Sequence, residues 1–162
     1  KINKPMVELD DELQLLEAYM ELMCYRYPEL KCEYDIDSEL VGMQVPNFIL
    51  QPIVENSLLH GLKNKGYRGK VKISAKKTDK GMEVCVCDSG SGFAEGKKEA
   101  IDEMLLHYAK QAPKLEGNSI GILNVQKRIK LLCGTEYGLW YTENEDDGVT
   151  AHILLPLEEE DK

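Results

Sequence analysis

Three short stretches hold the residue types most able to do chemistry. The first is Glu55-Asn56-Ser57-Leu58-Leu59-His60-Gly61, which sets an acid, an amide and an imidazole close together with no lysine or arginine among them. The second is Asp88-Ser89-Gly90-Ser91-Gly92, and the third runs from Gly117 through Asn118, Gly121 and Asn124 to Val125. A carboxylate at the end of a buried strand can accept a hydrogen bond from a ring amino group. Glycines after it let a flat ring approach the backbone. A glycine-containing loop that runs into a helix start offers free N–H groups and the positive end of a dipole, which suit phosphate. Glu55 and Asn56 supply hard oxygen ligands of the kind that hold Mg²⁺ jointly with phosphates. Adenine, magnesium and phosphate sites can therefore each be drawn from a different stretch. Each stretch alone also reads as an ordinary turn or loop.

The elements that would position them follow from periodicity. Residues 45–63 read as one helix, entered through Pro46, with Asn47 near its start and Gly61 near its end. On a helical wheel Leu50, Ile53, Val54, Ser57 and Leu58 share one half, and Gln51, Glu55, Asn56, His60 and Lys63 share the other. Residues 9–27 read as a long helix closed by Pro28. Its apolar positions Leu9, Leu13, Leu16, Met20, Met23 and Tyr27 form a heptad-like seam. That seam fits either packing on its own domain or pairing with a second helix in a longer protein. Cys32, Tyr34 and Ile36 alternate with acids as in a half-buried strand. Two alternating runs around Val71–Ala75 and Met82–Val86 form a hairpin that ends at Asp88. A charged helical stretch at 96–112 and a loop at 113–119 precede a second strong helix at 120–132. Strands near 138–143 and 149–155 close the chain. Helices bunched against hairpin-linked strands predict an α+β two-layer sandwich and not a doubly wound sheet.

Composition sets the bounds. The chain has 162 residues, enough for one domain with a full core, and no apolar run nears the roughly 20 residues that span a bilayer. A formal charge of −9 disfavours nucleic acid and anionic membranes as partners, and part of it is an acidic tail at 158–161. The five cysteines have no framework spacing, so reduced thiols in a cytosolic setting are expected. Cys85 and Cys87 share a strand face without metal-motif spacing and read as small packing residues. A start at Lys1, not Met, is expected of a piece cut from something longer.

The order and spacing of the three stretches resemble the GHKL superfamily of gyrase, the heat-shock chaperone, histidine kinases and MutL. They are most similar to its LytS/YesM-like sensor histidine kinases. The run Leu50-Gln51-Pro52-Ile53-Val54-Glu55-Asn56-Ser57-Leu58-Leu59-His60-Gly61 is similar to that family's N box. Residues 88–93 resemble a glycine box, and Ile120-Gly121-Ile122-Leu123-Asn124-Val125-Gln126-Lys127-Arg128-Ile129 resemble the second glycine box. The opening helix, with Glu12, Leu13, Tyr19 and Arg26, is similar to the end of the family's phosphoacceptor region. The resemblance covers nearly the whole chain.

The resemblance implies a Bergerat-type fold, with a mixed, mostly antiparallel sheet backed by helices and preceded by a long N-terminal helix. It implies a division into residues 1–30, the end of the dimerisation and phosphoacceptor region, and 31–162, the catalytic and ATP-binding domain. Its implied cofactors are ATP and Mg²⁺. Asn56 would hold Mg²⁺ against the phosphates, Glu55 would assist transfer, and His60 would approach the phosphates. Asp88 would fix the adenine amino group, with Gly90 and Gly92 shaping the adenine wall, Gly121 the phosphate loop and Thr150 standing beside Asp88. The implied partners are a phosphoacceptor dimerisation domain of the same kinase, a response regulator and a second copy in a homodimer. The implied setting is the cytoplasmic part of a membrane-bound sensor kinase.

Leu59 stands where a lysine is common, Ser119 where a second glycine is common and Ser89 where an asparagine is usual, which implies weakened nucleotide affinity. None of His60, His107 and His152 has the sequence context of a phosphoacceptor. The chain is therefore expected to bind ATP without phosphorylating itself. Residues 93–119, with Lys97, Lys98, Lys110 and Lys114, would form a lid, although Lys97 and Lys98 read more simply as solvated helix residues. The 110–119 loop is expected to be the least ordered part without nucleotide. Two other readings stand beside the kinase: an interaction module of the same fold without useful ATP affinity, and an ATPase of the gyrase or MutL type.

Overall fold

The structure is a computed structural model that describes residues 5–110 and 118–157. The expectations for the 110–119 loop, Lys114, Gly117 and the acidic tail fall largely or wholly outside the described residues.

Strand β1 (Met6–Glu8) leads into helix α1 (Leu9–Arg26). Asp10, Asp11 and Glu12 crowd the first turn of α1 and Arg26 ends the last, which matches the helix dipole. The Glu8 backbone N–H donates to the Asp11 carboxylate as half of a capping box. Leu9, Leu13, Leu16 and Met20 are buried and Met23 and Tyr27 pack against the same core. The heptad seam therefore lies on its own domain, while Leu22 and Tyr25 face outward. Strand β2 (Leu30–Ile36) and a short strand β3 (Gln44–Pro46) follow, with β3 antiparallel to β1.

The stretch expected to be one helix over 45–63 is broken. It contains β3, helix α2 (Leu50–Ser57), a π-helical turn (Leu58–Leu62) and a 3-10 turn (Lys63–Lys65). The break between β3 and α2 is at Phe48, whose φ of 58° no helix allows. The π turn widens the helix at His60 and Gly61.

The rest is close to expectation, except that the helical stretch expected over 96–112 ends at Leu106, where His107 leaves helical geometry with φ −104° and ψ 42°. Strands β4 (Gly69–Thr78) and β5 (Gly81–Asp88) form the hairpin, followed by α3 (Lys97–Leu106), α4 (Asn118–Cys133), β6 (Gly138–Glu143) and β7 (Val149–Leu155). The main sheet has the order β2-β4-β5-β7-β6. Only β2 and β4 pair in parallel, and every other pair is antiparallel. This is the α+β sandwich with a mixed, mostly antiparallel sheet that the sequence implied.

Alternation divides the sheet into two faces. Val71, Ile73, Ala75, Met82, Val84, Val86, Leu139, Tyr141, Ala151 and Ile153 point into one core with Ile53, Val54, Ile122, Val125 and Ile129 of the helices. Gln126 ties the layers together: its amide donates to the Leu105 and Leu139 carbonyls and its carbonyl accepts from the Leu139 N–H at 2.7 Å. The other face carries Glu83, Cys85, Cys87, Trp140, Thr142 and His152. Cys85 and Cys87 are thus half-buried on the outer face and do not pack in the core. Both residue types suit either face of a strand, so the pattern could not assign them.

Candidate functional site

Asp88 is the last residue of β5, on the core side of the sheet, and is 3% exposed. Its Oδ1 accepts from the Gly90 N–H at 2.9 Å, which bends the chain back over the strand end. A Cβ on Gly90 would lie 2.4 Å from the Gly61 backbone, and one on Gly61 would lie 2.8 Å from Asp88 Oδ1. Gly90 therefore packs directly on the Gly61 backbone, and Gly61 packs against the Asp88 carboxylate, so neither position has room for a Cβ. The Ser91 N–H completes it by donating to the Gly61 carbonyl at 2.9 Å. Ser89 is held on the other side, where its hydroxyl accepts from the Lys70 N–H at 2.8 Å and its carbonyl accepts from Lys65 Nζ at 2.9 Å.

Beside this junction is a cavity of about 690 Å³. It is lined by Asn56, Leu59, His60, Lys63 and Asn64 of the α2 region, Ser91 to Ala94, Lys97 and Ile101 of α3, and Ser119 at the start of α4. All three sequence stretches thus contribute to one neighbourhood. Asn56 is otherwise buried. Gly92 adopts a φ of 79°, and a Cβ there would strike the Asp147 carbonyl at 2.3 Å.

The expected site residues divide. Asn56, His60 and Gly92 line the cavity, with Asp88 and Gly90 at the junction beside it. Glu55 is not in the cavity wall. It accepts from Gln51 Nε2 at 2.9 Å and its charge acts on the Tyr19 phenol of α1. Gly121 packs toward Pro52 of α2, with ordinary room for a Cβ. Thr150 pairs with Cys87 across the sheet, one residue short of Asp88. Its hydroxyl donates to the Asn144 side-chain Oδ1 at 2.7 Å, and the Asn144 Nδ2 donates to the Asp88 backbone carbonyl. Thr150 therefore steadies the Asp88 backbone through Asn144.

Lys97, half-buried, belongs to the cavity wall. Lys98, also half-buried, is outside the cavity wall and pairs with Asp102 at 2.6 Å. Lys63 also faces the cavity, one turn beyond Leu59. It falls on the polar half of the sequence wheel, which is the available signal for it. For Lys97 the sequence offers a lid position or a solvated one, and only the packing of α3 decides between them.

Electrostatics follow from burial. The Asp88 carboxyl is pushed above its ordinary range by burial. The Gly90 and Val149 N–H groups, the Ser57 hydroxyl and the Lys65 charge pull the other way. The His60 imidazole is pushed below its ordinary value by burial and then by Lys97, so it is neutral at pH 7. The Tyr141 hydroxyl is buried close to Asp88 and Asn56 and makes no hydrogen bond of good geometry. The Tyr141 hydroxyl thus stands buried between the Asp88 acceptor and the Asn56 amide.

Two contacts set the entry angle of α2. The Glu12 carboxylate, buried on α1, accepts from the Phe48 and Ile49 N–H groups at 2.8 Å each and from Leu50 at 3.4 Å. Arg128 of α4 donates to the Asn47 side chain. In the sequence, Glu12 stands out only through a resemblance. Its partners are 36 and more residues away, so local patterning could not reveal its role.

The sequence pattern described as the histidine kinase-, DNA gyrase B- and HSP90-like ATPase family matches residues 47–159. The sensor protein LytS of Oceanobacillus iheyensis is 31% identical over 155 residues, covering 95% of this chain and 26% of that protein. The chain thus spans about a quarter of the length of this relative. Among solved structures, the nucleotide-free catalytic domain of the histidine kinase ThkA superposes with a TM-score of 0.67 at 18% identity, covering 96% of this chain and 97% of that one. ThkA in complex with the response regulator TrrA superposes with a TM-score of 0.65 at 18% identity, covering 97% of this chain and 42% of that one. These two likenesses bear on the fold.

Proposed function

The chain belongs to the histidine kinase-, DNA gyrase B- and HSP90-like ATPase family, and from that premise we propose that it is the catalytic ATP-binding domain of a two-component sensor histidine kinase. In this reading it binds Mg-ATP in the cavity beside Asp88 and delivers the γ-phosphoryl group to a histidine on a dimerisation domain outside this chain. The observation that carries the proposal is the convergence of the Ser91–Gly92 loop that follows Asp88, the Asn56–His60 wall and Ser119 of α4 on one hollow.

The residues present fit such a ligand. Asp88 is a buried acceptor of the kind that selects an amino-bearing ring. Asn56 offers an oxygen for Mg²⁺. Lys63 and Lys97 bring positive charge to the wall where Leu59 replaces a lysine. Bound Mg-ATP supplies the phosphoryl group and the charge neutralisation that its transfer requires. His60, neutral at pH 7, donates or accepts a hydrogen bond at that wall without adding charge.

Glu55, which bonds Gln51 outside the cavity wall on the side of Tyr19, would in this reading serve as the polarising acid for an acceptor imidazole brought by the dimerisation domain. In this reading α1 is the end of the phosphoacceptor region, and the intact protein is a membrane-bound homodimer with this domain in the cytoplasm. Among the described residues no helix is long and apolar enough to cross a membrane. A response regulator is the downstream partner, a pairing seen for ThkA in its complex with the response regulator TrrA.

None of the three histidines is a suitable acceptor. His107 pairs with Glu103 on α3, His152 lies on the outer sheet face, and His60 is in the cavity wall. The test mixes this domain with a separately made acceptor domain and labelled Mg-ATP. Acid-labile phosphate on the acceptor domain, lost with Glu55→Gln, supports the proposal. Saturable ATP binding without any transfer, to any acceptor, contradicts it.

A further inference from the structure

On the face of the sheet opposite the cavity, Glu83, Cys85 and His152 bring three ligand atoms together. Cys85 and His152 are direct cross-strand partners on β5 and β7, and Glu83 is two residues along β5 on the same face. The His152 Nδ1 lies 3.1 Å from Glu83 Oε2 and 3.5 Å from Cys85 Sγ, and Cys85 Sγ lies 3.1 Å from Glu83 Oε2.

From this geometry we infer that Glu83, Cys85 and His152 form a Zn²⁺ site with a water in the fourth position. Zinc takes nitrogen, sulfur and oxygen at about 2.0–2.1, 2.3 and 2.0–2.2 Å, so a tetrahedral face has edges of about 3.5 Å for S···N, 3.4 Å for N···O and 3.6 Å for S···O. The three separations in the protein are within about 0.5 Å of that face, so binding requires only small side-chain shifts. One imidazole, one thiolate and one carboxylate suit Zn²⁺ better than Mg²⁺ or Ca²⁺, which favour oxygen, or Cu⁺, which favours sulfur.

The surroundings support the same assignment. Thr142 Oγ1 lies 2.7 Å from His152 Nε2, so it can accept that N–H and leave the Nδ1 lone pair facing Glu83 and Cys85. Trp140 stacks on the imidazole with centroids 5.0 Å apart and planes 6° apart, which fixes the ring. The cluster is half-buried, so a cation can enter from solvent. Hydrogen bonds alone would satisfy the same atoms in one proton arrangement, in which Thr142 donates to Nε2 and Nδ1–H donates to Glu83. In the zinc-bound form the Cys85 proton passes to solvent and Thr142 becomes the acceptor.

The test uses the whole domain, stripped with a chelator and titrated with Zn²⁺ against a chromophoric competitor and with Co²⁺ by absorption. One Zn²⁺ per chain is expected, together with a thiolate-to-cobalt charge-transfer band. Cys85→Ser and His152→Gln each abolish both, while C24S/C32S/C87S/C133S, which keeps Cys85 as the sole thiol, retains both. Thr142→Val is expected to weaken Zn²⁺ binding about 10–100-fold. Circular dichroism confirms that each variant is folded, and Glu83→Gln gives a second reading if either ligand variant is not. Zn²⁺ left wholly with the competitor, or bound equally by wild type, C85S and H152Q, overturns the assignment. Because the cluster lies across the sheet from the cavity, ATP titrations of the same variants report on the two sites separately.

Discussion

Replacing Glu12 with alanine tests how α1 holds the site. The wild-type carboxylate accepts three backbone N–H groups where α2 begins, and Ile49 and Leu50 are fully buried. Losing a helix cap costs about 1–2 kcal/mol, and each buried donor left without a partner costs about 1–3 kcal/mol. The two contributions overlap, because the cap is one of the same bonds, so about 3–5 kcal/mol is expected for Glu12→Ala. For a domain of this size each kcal/mol moves Tm by about 2–4 °C, which gives a fall of about 6–20 °C. Glu12→Gln keeps one acceptor oxygen but turns an NH₂ toward a backbone donor and loses the charge assistance, for about 1–2 kcal/mol. Thermal and urea unfolding measure both variants. Amide exchange at Phe48, Ile49 and Leu50 shows whether the loss is local to the α2 start. Should Glu12→Ala melt within 2 °C of wild type, with those amides still protected, the cap would not be what holds α2 in place.

Three further outcomes follow. Burial raises the Asp88 pKa, so between its unfolded and folded values the native state holds more protons than the unfolded chain. Stability therefore falls as pH rises through that window and is flat above it, and Asp88→Asn removes the slope and raises the neutral-pH Tm. ATP affinity moves in the opposite direction, weakening as pH drops toward the raised pKa, which parallel unfolding and binding titrations would show. Gly61→Ala places a methyl 2.8 Å from Asp88 Oδ1; it is expected to cost about 1–3 kcal/mol and to displace the carboxylate, with ATP binding lost while far-UV circular dichroism is retained. Lys97→Gln is expected to weaken ATP several-fold and adenosine hardly at all, an effect of about 1 kcal/mol for one partly screened charge, measurable by comparing the two ligands.

Most of the framework is legible in the sequence because it depends on local pattern. Strands β6 and β7 match their expected limits, since alternation there is clean and the acidic turn between them is polar. The seam on α1 is legible as apolar, but its destination is not, because a stripe that packs on its own sheet looks like one that packs on a second helix. The 45–63 stretch reads as one helix, wrongly, because the agents that break it are distant: Glu12 on α1 holds the Phe48 turn, and the Gly61–Gly90 contact shapes the π turn. At the site, residues inside motifs are visible from sequence, whereas Lys97 is visible only as one of several lid lysines that read equally as solvated, because helical phase alone does not say which neighbour a helix faces. Cys85 illustrates the same limit on a strand. The period of two places it with Cys87, but only the pairing of β5 with β7 reveals His152 opposite.

The central claim, that the hollow lined by Asn56 beside Asp88 takes a purine triphosphate with its magnesium, is tested most directly by calorimetric titration of the wild-type domain, Asn56→Ala and Asp88→Asn with Mg-ATP. Saturable binding at one site per wild-type chain, weakened about 10–100-fold by Asp88→Asn through loss of a charged hydrogen bond of about 1.5–3 kcal/mol and made insensitive to Mg²⁺ by Asn56→Ala, is the predicted result. Three indistinguishable titrations, or no heat up to millimolar nucleotide, would contradict it.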